Sequence, residues 1–96
     1  MKWVDIIRVR SARGNGASAA SRMSEWAASC RGTRGLIAAR VYRNAAYDSD
    51  ASLHLVWNTP APAPGGSELA LRIFRELTGQ GLVDHDVWIE TKGGLQ

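Results

Sequence analysis

Apolar residues along this chain either alternate with polar ones or recur at helical steps, in six blocks. Residues 3–11 (WVDIIRVRS) alternate: Trp3, Ile7 and Val9 fall on one side, interrupted by Asp5. Val4, Ile6, Arg8 and Arg10 fall on the other, so a strand is predicted. Over residues 17–30, Ala19, Met23, Trp26, Ala27 and Cys30 recur at three- and four-residue steps. That spacing predicts a helix with one apolar stripe, and Gly32 stands where a C-cap favours a left-handed residue. Gly14-Asn15-Gly16, before it, reads as a turn or cap rather than a nucleotide loop. Residues 36–57 read as two strands joined by a tight polar turn at Asp48-Ser49-Asp50. The first puts Ile37, Ala39 and Val41 on one face and Leu36, Ala38, Arg40 and Tyr42 on the other. The second puts Leu53, Leu55 and Trp57 opposite His54 and Val56. Thr59–Gly66 holds all three prolines and reads as a loop. Ser67 suits a helix N-cap, and Ala70, Ile73, Phe74 and Leu77 form the stripe of a second helix, stopped by Gly79 and Gly81. Residues 85–91 (HDVWIET) close the pattern, with Val87 and Ile89 opposite Trp88 and Glu90.

The order β-α-β-β-α-β predicts an α+β, ferredoxin-like domain over residues 1–96: a four-stranded antiparallel sheet with two helices on one face. One sheet face carries Trp3, Ile7, Val9, Leu53, Leu55, Trp57 and their neighbours and is long enough to receive both helices. The other mixes Val4, Ile6, Val56 and Trp88 with Arg8, Arg40, Tyr42, His54 and Glu90. A freely solvated face has no need of those large apolar groups together. The chain has no further element to cover them, so a second subunit is expected there, making a homodimer.

Composition supports a small globular protein. Ninety-six residues, 45% of them apolar and four of them tryptophan, argue against disorder and leave no room for a second core. The opening MKWVDIIRVR has a charge at Asp5 and no long apolar run, so it is not expected to be a secretory signal. No segment has the roughly 18 apolar residues of a membrane span. With a single cysteine, an internal disulfide and a cysteine zinc site are excluded. A cytoplasmic location follows as an expectation. The net charge of +3 conceals an asymmetry: nine Lys/Arg against two Asp/Glu over residues 1–43, then three against seven over 44–96. The basic half either faces an anionic ligand or nucleic acid, or meets the acidic half of another copy. The second reading needs no external partner and is preferred.

On the βαββαβ order, the strand LHLVWN before a loop and helix, and the closing GLVDHDVWIE (residues 81–90), the chain resembles the dimeric α/β-barrel superfamily. That group includes antibiotic-biosynthesis-type monooxygenases. The resemblance implies two sheets packed face to face, with ligands held between sheet and helices or inside the barrel. It also implies the chance of cofactor-independent oxidation of an aromatic or polyketide-like substrate, which supplies its own carbanion and requires no metal or flavin. The haem-degrading members have an Asn in the first strand and a Trp and a His in the second helical region. Here the first strand has Ile6 and Ile7, and SELALRIFRELTG has neither Trp nor His, so haem degradation is not expected. No catalytic residue is carried over.

Arg8, Arg40, Tyr42, His54, Trp88 and Glu90 share the second face and are the candidate ligand-binding residues. An arginine would hold an anionic or enolate oxygen, His54 would accept a proton, and the aromatics would stack a ring; His54 and Arg40 are the catalytic candidates. Alternatively the same groups satisfy one another across a dimer interface, for instance Arg40 with Glu90 of a second copy. His85 lies between Asp84 and Asp86, but neighbours on a strand point oppositely, so a solvated strand start is favoured over a metal site. Cys30, near a helix C-terminus, reads as a buried structural thiol. Arg31 and Arg34 (RGTRG) read as solvated loop charge. Nucleic-acid binding ranks last, because SLHLVWN lacks the central aromatics of an RNA-recognition strand.

Overall fold

Apolar alternation draws four segments into one antiparallel sheet. A computed structural model describes residues 1–12 and 16–92. The elements are β1 (Lys2–Arg10), α1 (Gly16–Ser29), β2 (Leu36–Arg43), β3 (Asp50–Asn58), α2 (Glu68–Leu77) and β4 (Leu82–Ile89). The strand order is β2-β3-β1-β4, which places β2 and β4 at the edges. With the two helices this is the ferredoxin-like α+β arrangement. No helix among the described residues is long and apolar enough to cross a membrane.

The core lies between the sheet and the helices. Ile7, Leu53, Leu55, Met23 and Ile73 are sealed from solvent there, and Cys30 is buried beside them. Burial pushes the Cys30 thiol up, as expected of a structural cysteine. Trp3 and Trp57, directly opposed on β1 and β3, stack at 5.6 Å between ring centroids and 17° between planes. Such a pair contributes about 0.5–1.5 kcal/mol beyond the area it buries. Ser67 caps α2 by accepting from Ala70 N at 3.0 Å, and Gly32 takes φ 86° after α1, both as the residue types require.

Several expectations are corrected. A β-bulge shifts the register between Leu36 and Ala38, so Leu36, not Ile37, pairs with Trp57 on the helix side. The extra residue reverses the alternation before it. Leu36 packs against the core, and Ile37 is left 52% exposed. The β2–β3 link is a six-residue loop organised by Asn44, whose Oδ1 accepts from Ala46 N (2.8 Å) and Tyr47 N (3.0 Å). Asp48 and Ser49 form the turn that leads into β3, closed by Asp50 N donating to Tyr47 O at 3.2 Å, and Asp50 is already the first residue of that strand. Phe74 is only half-buried, and the α2 stripe rests on Ala70, Ile73 and Leu77. β4 starts at Leu82 rather than His85, and His85 turns inward. Gly14 and Asn15 lie outside the described residues, while Gly16 opens α1.

Candidate functional site on the open sheet face

The face away from the helices is built in rows that the strand register fixes. Tyr42, Ser52, Arg8 and Asp84 lie side by side across β2, β3, β1 and β4. The next row is Arg40, His54, Ile6 and Asp86; the third is Ala38, Val56, Val4 and Trp88. The face therefore grades from a charged end to an apolar end. At the charged end a cleft of about 620 Å³ opens, lined among others by Arg8, Tyr42, Arg43, Ser52, His54 and Asp84. Of the six candidates, Arg8, Tyr42 and His54 meet in this cleft. Arg40 sits beside His54 in the register but does not line it. Trp88, 57% exposed, stands at the apolar end. Glu90 lies beyond the end of β4, where its backbone N–H donates to Lys2 O at 2.9 Å.

His54 is the chemically distinctive group. Its ring tilts against Tyr42, with centroids 4.6 Å apart at 52°. Its Nε2 lies 3.2 Å from Ser52 Oγ, two residues away on the same face. Burial, and then the positive charges of Arg8 and Arg40, hold its pKa below the ordinary 6.5. His54 is therefore neutral at pH 7, with one ring nitrogen able to accept a proton. Arg8 Nη1 donates to Asp84 Oδ1 (3.2 Å) and Asp86 Oδ2 (3.3 Å), and Trp88 Nε1 donates to Asp86 Oδ1 (2.9 Å). Arg10 forks onto Asp50, Nε to Oδ1 at 3.2 Å and Nη2 to Oδ2 at 3.1 Å. Hydrogen bonds from Arg10 and Ser49 hold the Asp50 carboxyl below the usual range.

A second polar cluster lies on the helix side, where the sequence reading placed only an interruption. Asp5 is fully buried. Its Oδ2 accepts from Trp57 Nε1 (2.8 Å) and Ser67 Oγ (2.7 Å), and its Oδ1 from Ser67 N (3.3 Å). His85 Nε2 lies 2.7 Å from Oδ1. A carboxylate offers acceptors only, so Nε2 carries the hydrogen. Gly66, at φ +102°, passes so close that a Cβ would come within 2.4 Å of His85 Cε1. The cluster ties β1, β3, β4 and the N-terminus of α2 together. Neither Asp84 and Asp86 nor the Asp5–His85 pair was recognised in the sequence. Starting β4 three residues earlier places Asp84 opposite Arg8 and Asp86 opposite Ile6, within side-chain reach of Arg8, and brings His85 onto the helix side beside Asp5. No group of three or more possible metal-ligating side chains occurs among the described residues.

No protein-family model matches the chain, and no curated protein matches it in sequence. Solved structures do match in shape. A conserved Bacteroides thetaiotaomicron protein of unknown function, described as a possible oxidoreductase, superposes with a TM-score of 0.71 at 13% identity. The match covers 93% of this chain and 97% of that one. SnoaB from Streptomyces nogalater, a cofactor-independent oxygenase solved as a point variant, gives a TM-score of 0.70 at 17% identity, covering 98% and 96%. An antibiotic biosynthesis monooxygenase gives 0.64 at 12% identity, covering 98% and 100%. The fold is that of the antibiotic-biosynthesis-monooxygenase-like ferredoxin-fold proteins. At these identities the likeness concerns the fold and carries no residue across.

Proposed function

We propose that residues 1–96 form one domain of a homodimeric α/β barrel, cytoplasmic, that binds a small aromatic or polyketide-like molecule against the open sheet face. The observation that carries this reading is His54: a neutral imidazole between two guanidiniums, against a tyrosine ring, in a cleft on a half-apolar face. Such a group takes a proton from an acidic C–H or O–H, and the flanking cations stabilise the anion that forms. A substrate carbanion then reduces O2 directly. For an acidic methylene the balance is closed: CH2 and O2 become C=O and H2O, one oxygen atom in each product. That the similar SnoaB is a cofactor-independent oxygenase supports the absence of a required cofactor. The second subunit, meeting the apolar end around Val4, Val56 and Trp88, encloses the cleft and excludes water. Arg40 of one copy facing Glu90 of another remains part of this proposal.

The test joins assembly to chemistry. Native mass spectrometry is expected to show a dimer. With 1,8-dihydroxyanthrone as probe, oxygen uptake is expected to exceed the buffer rate and to fall about 100-fold or more in His54→Ala, the usual span for removing a general base. A strict monomer refutes the barrel, and unchanged uptake in His54→Ala refutes the base. A second reading, a non-catalytic dimerisation module, is favoured by one observation: Arg8 and Arg10 already hold carboxylates of their own chain. A dimer that binds no aromatic probe supports it. Nucleic-acid binding stays last, and a retardation assay at low ionic strength is expected to show none.

A further inference from the structure

Two carboxylates share one Arg8 nitrogen, yet their settings differ. Asp86 also accepts from Trp88 Nε1 and lies outside the cleft. Asp84 lines the cleft, sits directly across from Arg8 in the β1–β4 register and is 70% exposed, with Arg8 its one side-chain hydrogen-bond partner among the described residues. At 3.2 and 3.3 Å both contacts are longer than the roughly 2.7–2.9 Å of a strong charge-assisted bond. We propose that Asp84 is an internal stand-in for a ligand's anionic oxygen: it occupies Arg8 in the free protein and gives way to the carboxylate, phenolate or enolate of a bound aromatic molecule. This rests on the ligand-binding reading of the same face.

The geometry gives each group a distinct task. Asp86, tied to Trp88, keeps Arg8 aligned when Asp84 leaves. Asp84 returns to water at little cost, because most of its side chain is already solvated. Arg43 lines the same cleft and has no carboxylate partner among the described residues, so a second anionic oxygen finds a cation there. The ligand's apolar body runs toward Val4, Val56 and Trp88, along the gradient of the rows. Asp84 thus sets specificity. A neutral aromatic offers Arg8 at most an uncharged acceptor, weaker than a carboxylate, and leaves Asp84 in place. An anion exchanges with it.

The probes are anthracene-9-carboxylate and its neutral amide, titrated by fluorescence at fixed ionic strength. Asp84→Asn is expected to tighten the carboxylate about two- to five-fold, the span of an exposed ion pair removed from competition. The amide is expected to change less than that. In an Arg8→Gln background the gain from Asp84→Asn should vanish, since the site of exchange is gone. A gain that survives in Arg8→Gln would show only the general field of a deleted negative charge and overturn the proposal. So would an Asp84→Asn protein that binds both probes as the wild type does. If neither probe binds any variant, the ligand-binding reading of the face fails first and the exchange fails with it.

Discussion

Replacing Asp5 by alanine tests whether the buried carboxylate organises the helix side. The substitution strands Trp57 Nε1, Ser67 Oγ and N, and His85 Nε2, all within 3.3 Å of the carboxylate. An unpaired buried donor costs about 1–3 kcal/mol, but the Ser67 hydroxyl can rotate and water can enter. With several donors stranded at once and partly rehydrated, a loss of about 3–5 kcal/mol in all is expected here. For a chain of this size each kcal/mol moves the Tm by roughly 4–8 °C. A fall of at least about 12 °C follows, against a total stability of about 5–15 kcal/mol. Thermal and urea unfolding at one fixed protein concentration measure it, because a dimer makes Tm concentration-dependent. A cycle with His85→Ala separates the pair from the rest. The double variant should lose clearly less than the sum of the singles, because alanine at 85 removes one stranded donor. A loss under about 1 kcal/mol for Asp5→Ala would mean that the network is solvated and organises nothing.

Three further outcomes follow from the same geometry. Gly66→Ala combines a positive φ with a contact on His85 and should destabilise by about 1–3 kcal/mol in urea titrations; an unchanged midpoint would exclude the close approach. Leu36→Ala should cost about 1–3 kcal/mol, whereas Ile37→Ser should stay within about 0.5 kcal/mol; the reverse order would disprove the bulge. By NMR, His54 should titrate below 6.5, and Arg40→Gln should raise its midpoint. The unfolded chain takes up this proton first as pH falls. The His54 contribution to stability is therefore fully present above pH 6.5 and is lost as pH falls through its lowered folded value. A midpoint above 6.5 would remove the two arginines as its neighbours.

The fold was legible because its elements are set by local pattern. Alternation marks β1 and β3, the Ser67 cap marks α2, and four strands with two helices in this order have few ways to share one core. What was not legible depended on register between distant segments. One bulged residue exchanged Leu36 for Ile37, and no periodicity within β2 announces it. Three residues at the start of β4 decided whether His85 met water or Asp5, and whether Asp84 met Arg8 or nothing. Arg8, Tyr42 and His54 were found because same-face alternation holds within each strand. Their partners were missed because hydrogen bonds join positions up to 80 residues apart.

The two polar clusters also bear on where a ligand goes, between sheet and helices or against the open face. On the helix side each acceptor of Asp5 is taken by a donor at 3.3 Å or less, and the carboxylate itself is fully buried against the core. A ligand there has to displace core packing at about 25 cal/mol per Å² and break a satisfied network as well. On the open face the opposite holds. Arg8 makes long, shared contacts, His54 holds an uncharged ring nitrogen, and Val4, Val56 and Trp88 stand without an intramolecular layer above them. Groups with unspent hydrogen-bonding capacity beside uncovered apolar surface are where binding gains more than it disrupts. The helix-side carboxylate, despite being the more buried, is the scaffold. The proposed function puts the chemistry on the exposed face, and loss of Asp5 should therefore lower stability without altering the pH at which His54 titrates in the protein that still folds.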